Sequence, residues 1–243
     1  MGRAVSVAVI VPRSPGSCSH RDRAWEWLER RWGALHPTWR TVEGTALHDR
    51  WCKAEAVADA LTRTDAGVLV ICDADLVVDP AALARSVDAV QIAGGWAVPY
   101  HRVFRLNPAA TADALEADPT GPLDLPTDRR NLARVPYSSR PGGGVFVVTR
   151  SAYLAAGGFD PRFVGWGGED ISIGLALRTL AGPHTRVRGD LFHLWHPTQP
   201  DRRPGSRGNH AALERRYRAA NDDPAAMRAL IEERATWPNQ LTA

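Results

Sequence analysis

The chain has 243 residues, which is enough for one large α/β domain or two small ones. Its 44% hydrophobic and 23% charged residues are those of an ordinary globular protein, and no apolar run reaches the length of about 18 residues that a membrane-spanning helix needs. The formal net charge of +3 comes without a basic stripe interleaved with aromatic residues, so the composition does not indicate a nucleic-acid-binding protein.

The N-terminus and the cysteines indicate a cellular compartment. The chain enters an apolar strand within its first residues, without the apolar core and small-residue cleavage site of a signal peptide. Cys18, Cys52 and Cys72 are odd in number and widely spaced, a pattern that favours reduced thiols over a disulfide framework or a zinc site. We therefore expect a soluble, cytoplasmic protein with no membrane span.

The N-terminal part alternates between predicted strands and helices. Continuous apolar runs are typical of buried strands, and the stripe of Trp25, Leu28 and Trp32 is typical of a helix that faces a core. The predicted strands cover residues 5–11, 39–44, 67–72 and 96–100, and the predicted helices cover residues 21–35, 53–62 and 80–90. This alternation predicts a parallel-rich sheet, in which ligands collect at the carboxyl ends of the strands.

The remainder of the chain is less regular. Residues 105–140 are rich in Pro, Asp, Ala and Arg, so we expect an irregular connection with a short helix at 111–116. A glycine bend precedes a strand at 145–148 and a short helix, and a further strand is expected within 187–195. A polar, mobile loop is predicted at 200–209, followed by helices at 210–220 and 224–234.

Charged residues follow several of the predicted strands. Arg13, Glu43, Asp73 and Asp75 all lie at carboxyl ends of strands, and this coincidence is the main evidence for a site that comes from the residues alone. The two aspartates flank Ala74, which places their carboxylates on one side of an extended tripeptide. Hard oxygen ligands of this kind suit Mg²⁺ or Mn²⁺ held together with phosphates.

A second candidate region is the stretch Gly-Trp-Gly-Gly-Glu-Asp at residues 165–170. Glycines allow positive φ or a close approach to a ligand, so Glu169 and Asp170 are expected to project into the space that the bend lines. Trp166 offers an apolar face of the kind on which sugars stack. The alternative is a surface loop before a helix, because acids are common in the first turn of helices.

His193 and His196 form a third candidate. In an extended segment that ends in a turn, two imidazoles three residues apart could both face one metal ion. The alternative is a pair of core or hydrogen-bonded histidines that bind no metal.

The order of these features resembles that of GT-A fold glycosyltransferases, family 2-like and with the C-terminal segment of the inverting galactosyltransferases. The order is strand-Pro-Arg, Asp-x-Asp, glycine bend, Gly-Gly-Phe, Trp-Gly-Gly-Glu-Asp and His-x-x-His. The resemblance implies an α/β fold with a mixed, mostly parallel central sheet flanked by helices. It also implies a single domain over 1–243, with a nucleotide-binding half near 1–100, an acceptor and metal half near 101–200, and C-terminal helices near 208–243.

The resemblance also implies a role for each candidate residue. Asp170 corresponds to the catalytic base with Glu169 as its catalytic neighbour, and Arg13 follows Pro12 directly, one position away from the Pro-x-Arg of the family. The implied metal ligands are Asp75, His196 and His193; the implied acceptor-binding residues are Trp166, Gly167, Gly168 and Glu169; the implied donor-binding residues are Pro12, Arg13, Glu43, Lys53, Asp73, Gly143 and Gly144.

These roles imply a metal-dependent glycosyltransferase of the hexosyltransferase type, with Mn²⁺ or Mg²⁺ as cofactor. A sugar would pass from a UDP-sugar donor to a hydroxyl of a glycan, a protein, a small molecule or a modified DNA base. Retaining polypeptide N-acetylgalactosaminyltransferases carry Asn after Trp-Gly-Gly-Glu, so Asp170 favours inversion. Arg202, Arg203 and Arg207 form either a lid over the pyrophosphate or a solvated loop.

Two rival functions are open at this point. A sugar-nucleotide nucleotidylyltransferase shares the α/β layout but needs a glycine-rich phosphate loop after the first strand, which residues 11–15 do not provide. A non-catalytic carbohydrate- or nucleotide-binding protein of the same fold has no need to keep Asp73, Asp75, Asp170 and His196 together.

Overall fold

The centre of the structure is a mixed six-stranded sheet. In this computed structural model, residues 5–47, 50–138, 141–198 and 208–236 are described. The strands are β1 (Val7–Pro12), β2 (Arg40–Gly44), β3 (Val68–Cys72), β4 (Leu76–Val78), β5 (Trp96–Val98), β6 (Arg102–Arg105), β7 (Val145–Thr149), β8 (Thr185–Arg186) and β9 (Asp190–His193). The central sheet has the order β2-β1-β3-β7-β5-β8. Strand β1 is parallel to β2 and β3, and β5 is parallel to β8, whereas β7 is antiparallel to β3 and β5.

Helices flank this sheet and fill most of the described connections. They are α1 (Ser19–Leu35), α2 (Lys53–Leu61), α3 (Pro80–Ala93), α4 (Pro108–Glu116), α5 (Arg150–Ala155), α6 (Glu169–Ala181), α7 (Gly208–Ala219) and α8 (Pro224–Glu232), with 3₁₀ turns at Arg129–Asn131 and Glu233–Thr236. Helix α3 begins where the sequence predicts, because the Asp79 carboxylate accepts from the Ala81 and Ala82 amides and Pro80 occupies the first turn. Within the described residues, no helix combines the length and apolarity that crossing a bilayer requires.

A second, three-stranded sheet has the order β4-β9-β6 and was not predicted. Strand β9 is antiparallel to β4, with His193 opposite Leu76, and parallel to β6. The Leu194 amide donates to the Asp75 carbonyl at 2.9 Å. This register carries the end of β9 alongside the Asp73–Asp75 tripeptide.

The expectation of an irregular connection over 105–140 was only partly correct. Helix α4 spans Pro108–Glu116 and therefore starts earlier than the predicted short helix at 111–116. The side chain of Asn107 accepts from the Ala110 amide and Pro108 lies in the first turn, and together these residues fix the helix start. The Arg129–Asn131 turn adds a further ordered piece, and its Leu132 bridges back to Leu106 beside β6.

The hydrophobic core lies on both faces of the central sheet. Strands β1 and β3 are buried along their whole length, as their continuous apolar runs predict. Trp25, Leu28 and Trp32 of α1 are buried as expected, and Trp27 is buried with them. Trp27 does not fit the i, i+3, i+7 spacing of that stripe, and its buried indole N–H donates to the Ala117 carbonyl at 2.9 Å. The three cysteines are free thiols, as predicted.

Candidate active site

A close backbone contact brings the glycine bend before β7 against the first turn of α6. Gly142 has φ +94°, and a Cβ at this position would lie 2.3 Å from the Asp170 carbonyl oxygen. On the helix side, a Cβ at Gly174 would lie 2.2 Å from the Pro141 carbonyl oxygen. Any side chain at either glycine would force the two segments apart. The pair of glycines therefore sets Asp170 beside the start of β7.

The Gly-Trp-Gly-Gly segment ends at the start of α6. Gly168 precedes the helix with φ +95°, and a Cβ there would lie 2.6 Å from the Phe163 ring. Glu169 and Asp170 therefore occupy the first helical turn, where the positive end of the helix dipole favours carboxylates. Glu169 is 6% exposed and its Oε2 accepts from the Gly167 amide at 2.8 Å. The Asp170 side chain is about a third exposed, so it is the more open of the two acids.

Lys53, in the first turn of α2, joins two of the candidate acids. Its Nζ lies 2.7 Å from Asp73 Oδ1 and 2.8 Å from Asp170 Oδ1, and its side chain is 7% exposed. Burial acts to lower the pKa of Lys53, but the Asp170 and Asp73 carboxylates outweigh it and raise this pKa well above the ordinary value. Lys53 is therefore a buried cation held between the end of β3 and the start of α6.

Burial shifts the protonation of the acids around Lys53. It raises the pKa of Glu169 to about 7, with the charge of Asp170 acting in the same direction and Lys53 opposing it. Burial likewise raises the pKa of Asp73 to about 6, again against the effect of Lys53. Near neutral pH this group of acids thus carries less negative charge than its three carboxyl groups suggest.

The end of β9 places both predicted histidines next to Asp75. His196 Nε2 lies 3.3 Å from Asp75 Oδ2, and His193 Nε2 lies 3.9 Å from Asp75 Oδ1. One ligand atom from each of these three residues lies within 4.8 Å of the others. They are the residues that the sequence predicts as metal ligands.

Hydrogen bonds on the far side of each imidazole set its tautomer. The Nδ1 of His193 lies 2.7 Å from the Leu194 carbonyl oxygen, and the Nδ1 of His196 lies 2.8 Å from the Pro197 carbonyl oxygen. Because a carbonyl only accepts, each Nδ1 carries the proton and each Nε2 presents a lone pair toward Asp75. This backbone support is the arrangement that metal-binding histidines use.

The protonation states also fit a metal. Burial lowers the pKa of His193 to about 4, and this imidazole is neutral at neutral pH. Burial acts to raise the pKa of Asp75, but His193, which is protonated in the acid range where Asp75 titrates, and Arg21 outweigh it and lower this pKa to about 2. An ionised carboxylate with two neutral imidazoles is a mixed oxygen and nitrogen donor set that suits a divalent transition-metal ion better than Mg²⁺, which prefers oxygen ligands throughout.

Two arginines that the sequence analysis did not single out lie against the same cluster. Arg21 Nε lies 3.1 Å from Asp75 Oδ2, and Arg21 Nη2 lies 3.2 Å from His196 Nε2. Arg105 Nη1 lies 3.2 Å from His193 Nε2. Arg21 is in the first turn of α1 and Arg105 ends β6, so only the packing of these elements reveals the contacts.

A cavity of about 590 Å³ is lined by the Asp75 cluster and by the first turn of α6. The predicted site residues that line it are Asp73, Asp75, Gly143, Gly144, Trp166, Gly167, Gly168, Glu169, Asp170, His193 and His196. A smaller cavity of about 150 Å³ is lined by Pro12 and Arg13 and shares Arg21, Asp73, Asp75 and Trp166 with the larger one. The two cavities thus meet at the Asp73–Asp75 tripeptide and at Trp166.

Arg13 and Glu43 are engaged with other protein groups. Arg13 Nη1 donates to Glu43 Oε2 at 2.6 Å, and Arg13 Nη2 donates to Asp22 Oδ1 at 2.7 Å. Glu43 Oε1 also accepts from the Trp25 indole at 2.9 Å, and Glu43 lines a separate surface pocket beside Asp59. Of the predicted donor residues, Glu43 and Lys53 line neither of these two cavities. Arg202, Arg203 and Arg207 lie outside the described residues.

Trp166 belongs to a stacked group at the boundary of the two cavities. The rings of Trp166 and Trp51 have centroids 6.2 Å apart and planes 26° apart. The Arg21 guanidinium lies 4.7 Å from the Trp166 ring centroid. Trp166 and Asp170 line the same cavity, so the aromatic surface of Trp166 is available for stacking near the Asp170 carboxylate.

This chain is similar to known proteins in part of its sequence and in its fold. A family model described as the N-terminal domain of galactosyltransferase matches residues 131–196. The catalytic domain of Drosophila β1,4-galactosyltransferase 7, in complex with xylobiose, has TM-score 0.55 and 14% identity over 86% of this chain and 79% of that chain. GalNAc-T7 with UDP, GalNAc and Mn²⁺ has TM-score 0.50 and 12% identity over 95% of this chain and 54% of that chain.

No curated protein gives a significant sequence match. The segment that matches the galactosyltransferase family model contains the glycine bend, the Trp-Gly-Gly-Glu-Asp stretch and both histidines of the Asp75 cluster. At identities of 14% and 12%, the similarity to the solved structures establishes the fold. The chain has the GT-A fold, and both of these solved structures are of glycosyltransferases.

Proposed function

We propose that this protein is a metal-dependent, inverting glycosyltransferase that moves a sugar from a UDP-sugar to an acceptor hydroxyl. One observation carries the proposal. A single cavity of about 590 Å³ is lined by the Asp73 and Asp75 pair, by the Asp170 carboxylate, and by two imidazoles whose lone pairs face Asp75. A GT-A fold with these groups in one cavity has the parts that a displacement at an anomeric carbon needs.

Asp170 is the proposed catalytic base. Its carboxylate is about a third exposed and lines the cavity, and Lys53 anchors its Oδ1 at 2.8 Å, which holds the group in place to take a proton. The acceptor hydroxyl gives its proton to Asp170 as it attacks the anomeric carbon from the side opposite the leaving diphosphate. Inversion of configuration follows from this single displacement.

Glu169 and Trp166 are proposed to shape the acceptor site. Glu169 accepts from the Gly167 amide at 2.8 Å, which holds the Gly-Trp-Gly-Gly bend in place. The Trp166 ring lines both cavities and supplies a stacking face for a sugar. The Drosophila structure was solved with xylobiose, which supports a saccharide as acceptor class.

The donor site is proposed to extend from Asp75 into the smaller cavity. Asp75, His193 and His196 would hold a divalent ion, preferably Mn²⁺, which supplies Lewis-acid stabilisation to the diphosphate leaving group. Asp73 faces the donor ribose or sugar, and the Gly143–Gly144 backbone lines the same cavity. The GalNAc-T7 structure holds both UDP and Mn²⁺, which supports this choice of nucleotide and metal.

Turnover of UDP-sugars tests the proposal. The protein is incubated with Mn²⁺ and a panel of UDP-sugars, first alone and then with candidate saccharides, and released UDP is measured. We expect UDP release that needs Mn²⁺, and we expect Asp170→Asn to lower it by about 10²- to 10⁴-fold while UDP binding stays near that of the unchanged protein.

Two results would count against the proposal. UDP binding without any turnover of a UDP-sugar would favour the non-catalytic binding protein of the same fold. Equal loss of UDP binding and turnover in Asp170→Asn would place Asp170 in the donor site and remove its role as the base.

A further inference from the structure

Two guanidinium groups contact the same side-chain atoms of Asp75, His193 and His196 that would bind a metal ion. Arg21 donates to Asp75 Oδ2 at 3.1 Å and to His196 Nε2 at 3.2 Å. Arg105 donates to His193 Nε2 at 3.2 Å. Each proposed ligand residue therefore already has a cationic partner within the protein.

These contacts and a bound ion exclude each other. The Nδ1 of each imidazole is tied to a backbone carbonyl, so each Nε2 has one lone pair to give. That lone pair serves either an arginine N–H or a metal ion. Entry of the ion consequently requires Arg21 to leave His196 and Arg105 to leave His193.

We propose that Arg21 and Arg105 are counter-cations that neutralise the metal site when no ion is bound, by contacting its ligand atoms. The two arginines leave these atoms only when a nucleotide diphosphate binds together with the ion. This inference rests on the proposed function, because it takes Asp75, His193 and His196 as the metal ligands. Beyond that function, Mn²⁺ and the nucleotide each raise the affinity for the other, and Arg21 and Arg105 are the residues through which this coupling acts.

The charges explain the coupling. Asp75 is the single carboxylate of the ligand set, and its side chain is only 4% exposed. A divalent ion that enters alone would place two further positive charges next to two guanidiniums, at a site where solvent screening is weak. The phosphates of UDP supply negative charge to the ion and bidentate partners to the displaced arginines, so each ligand lowers the free-energy cost of binding the other.

Arg21 has a second interaction that survives its displacement. Its guanidinium lies 4.7 Å from the Trp166 ring centroid, and its side chain is 23% exposed. A shift away from Asp75 and His196 can therefore keep the stacking contact, which is favourable for an arginine over an indole ring. The displaced side chain stays at the boundary of the two cavities, within reach of a diphosphate.

Calorimetric titration with Mn²⁺, with and without saturating UDP, tests the inference. The variants are Arg21→Met and Arg105→Met, which remove one guanidinium each. Arg23→Met is the matched control, since Arg23 lies on the same helix but is exposed and pairs with Glu116 away from the cluster. Thermal melting confirms that each variant is folded before it is titrated.

We expect the unchanged protein to bind Mn²⁺ weakly alone and much more tightly with UDP. Arg21→Met and Arg105→Met should each tighten Mn²⁺ binding in the absence of UDP by about tenfold. The same variants should shrink the factor by which UDP improves Mn²⁺ affinity, and by reciprocity the factor by which Mn²⁺ improves UDP affinity. Arg23→Met should leave unchanged the affinity for Mn²⁺, with or without UDP, and the affinity for UDP, with or without Mn²⁺.

The outcomes separate the inference from the proposed function. If the unchanged protein shows metal-dependent UDP binding but neither variant tightens Mn²⁺ binding, the counter-cation role is wrong and the proposed function stands. If the unchanged protein shows no effect of Mn²⁺ on UDP binding, the proposed metal dependence is wrong and the inference fails with it. Arg105→Met carries the same prediction should Arg21→Met prove too unstable to titrate.

Discussion

The Lys53 ammonium group donates to the Asp170 carboxylate at 2.8 Å, although the two residues are 117 positions apart in the chain. The same nitrogen lies 2.7 Å from Asp73 Oδ1. Helix α2, the end of β3 and the start of α6 therefore meet at one buried cation. This contact ties the proposed base to the proposed donor site, and it requires α2, β3 and α6 to be packed together.

Replacing Lys53 should destabilise the protein and disable the site. Lys53→Met leaves the Asp73 and Asp170 carboxylates facing each other without a cation, and we expect a loss of about 2 to 4 kcal/mol in the free energy of unfolding, since both acids keep some solvent contact. Urea denaturation at pH 7 measures this loss. Lys53→Arg, which keeps the charge, should recover most of the stability, and a Lys53→Met protein as stable as the parent would contradict the account.

His196→Ala should remove the effect of Mn²⁺ on nucleotide binding. His196 Nε2 lies 3.3 Å from Asp75, and its loss takes away a proposed ligand instead of a supporting contact. The Mn²⁺ affinity in the presence of UDP should fall by more than the roughly 10- to 100-fold that loss of an outer-shell partner costs. His101→Ala, on a histidine that contacts Gly189, is the control, and equal Mn²⁺ affinity in the two variants would argue against a metal at this cluster.

A single methyl group at Gly142 should displace the first turn of α6, which carries Asp170. The added Cβ would lie 2.3 Å from the Asp170 carbonyl oxygen at a φ of +94°, so Gly142→Ala should lower the free energy of unfolding by about 2 to 4 kcal/mol and reduce sugar transfer. Gly33→Ala in α1 is the matched control, because its Cβ would meet nothing within 4 Å and should stabilise the helix by up to about 1 kcal/mol. Thermal melting of both variants makes the comparison, and similar melting temperatures would contradict the proposed contact.

Glu169 should make stability fall as the pH rises. Burial raises its pKa from 4.5 to about 7 in the folded state, so the folded chain holds this proton more tightly than the unfolded chain. Its contribution is fully present below about pH 4.5 and is lost as the pH passes about 7, with a total on the order of 3 kcal/mol.

Glu169→Gln isolates this effect, because the amide does not titrate. Chemical denaturation between pH 4 and pH 8 should show a smaller decline for Glu169→Gln than for the parent. Glu26→Gln, at an exposed position of α1, should follow the parent curve. Parallel curves for the parent and Glu169→Gln would show that Glu169 does not titrate in this range.

Apolar runs and glycine patterns explain why the main elements were predictable from the sequence. Strands β1, β3 and β7 are buried on both faces and read as continuous apolar segments, so their positions follow from hydrophobicity alone. Strands β4 and β6 are three and four residues long, too short to show a period, and the second sheet was missed with them.

The candidate site was predictable only where its residues belong to a motif. Asp75 and His196 were named from the Asp-x-Asp and His-x-x-His spacing, and the structure brings them to 3.3 Å. Lys53 was named as a donor-binding residue, whereas its observed contacts are with Asp73 and Asp170. Arg21 and Arg105 carry no sequence signal, because their partners come from segments far along the chain and the contacts exist only after the sheets have paired.

Calorimetric titration with UDP, in Mn²⁺ and in its absence, tests the central claim most directly. UMP, GDP and TDP are titrated beside it to define the nucleotide. We expect UDP to bind far more tightly with Mn²⁺ than without it, and more tightly than the other three nucleotides. Binding of UDP that is equal with and without Mn²⁺, or no binding of UDP at all, would contradict the claim that this cavity is the donor site of a metal-dependent glycosyltransferase.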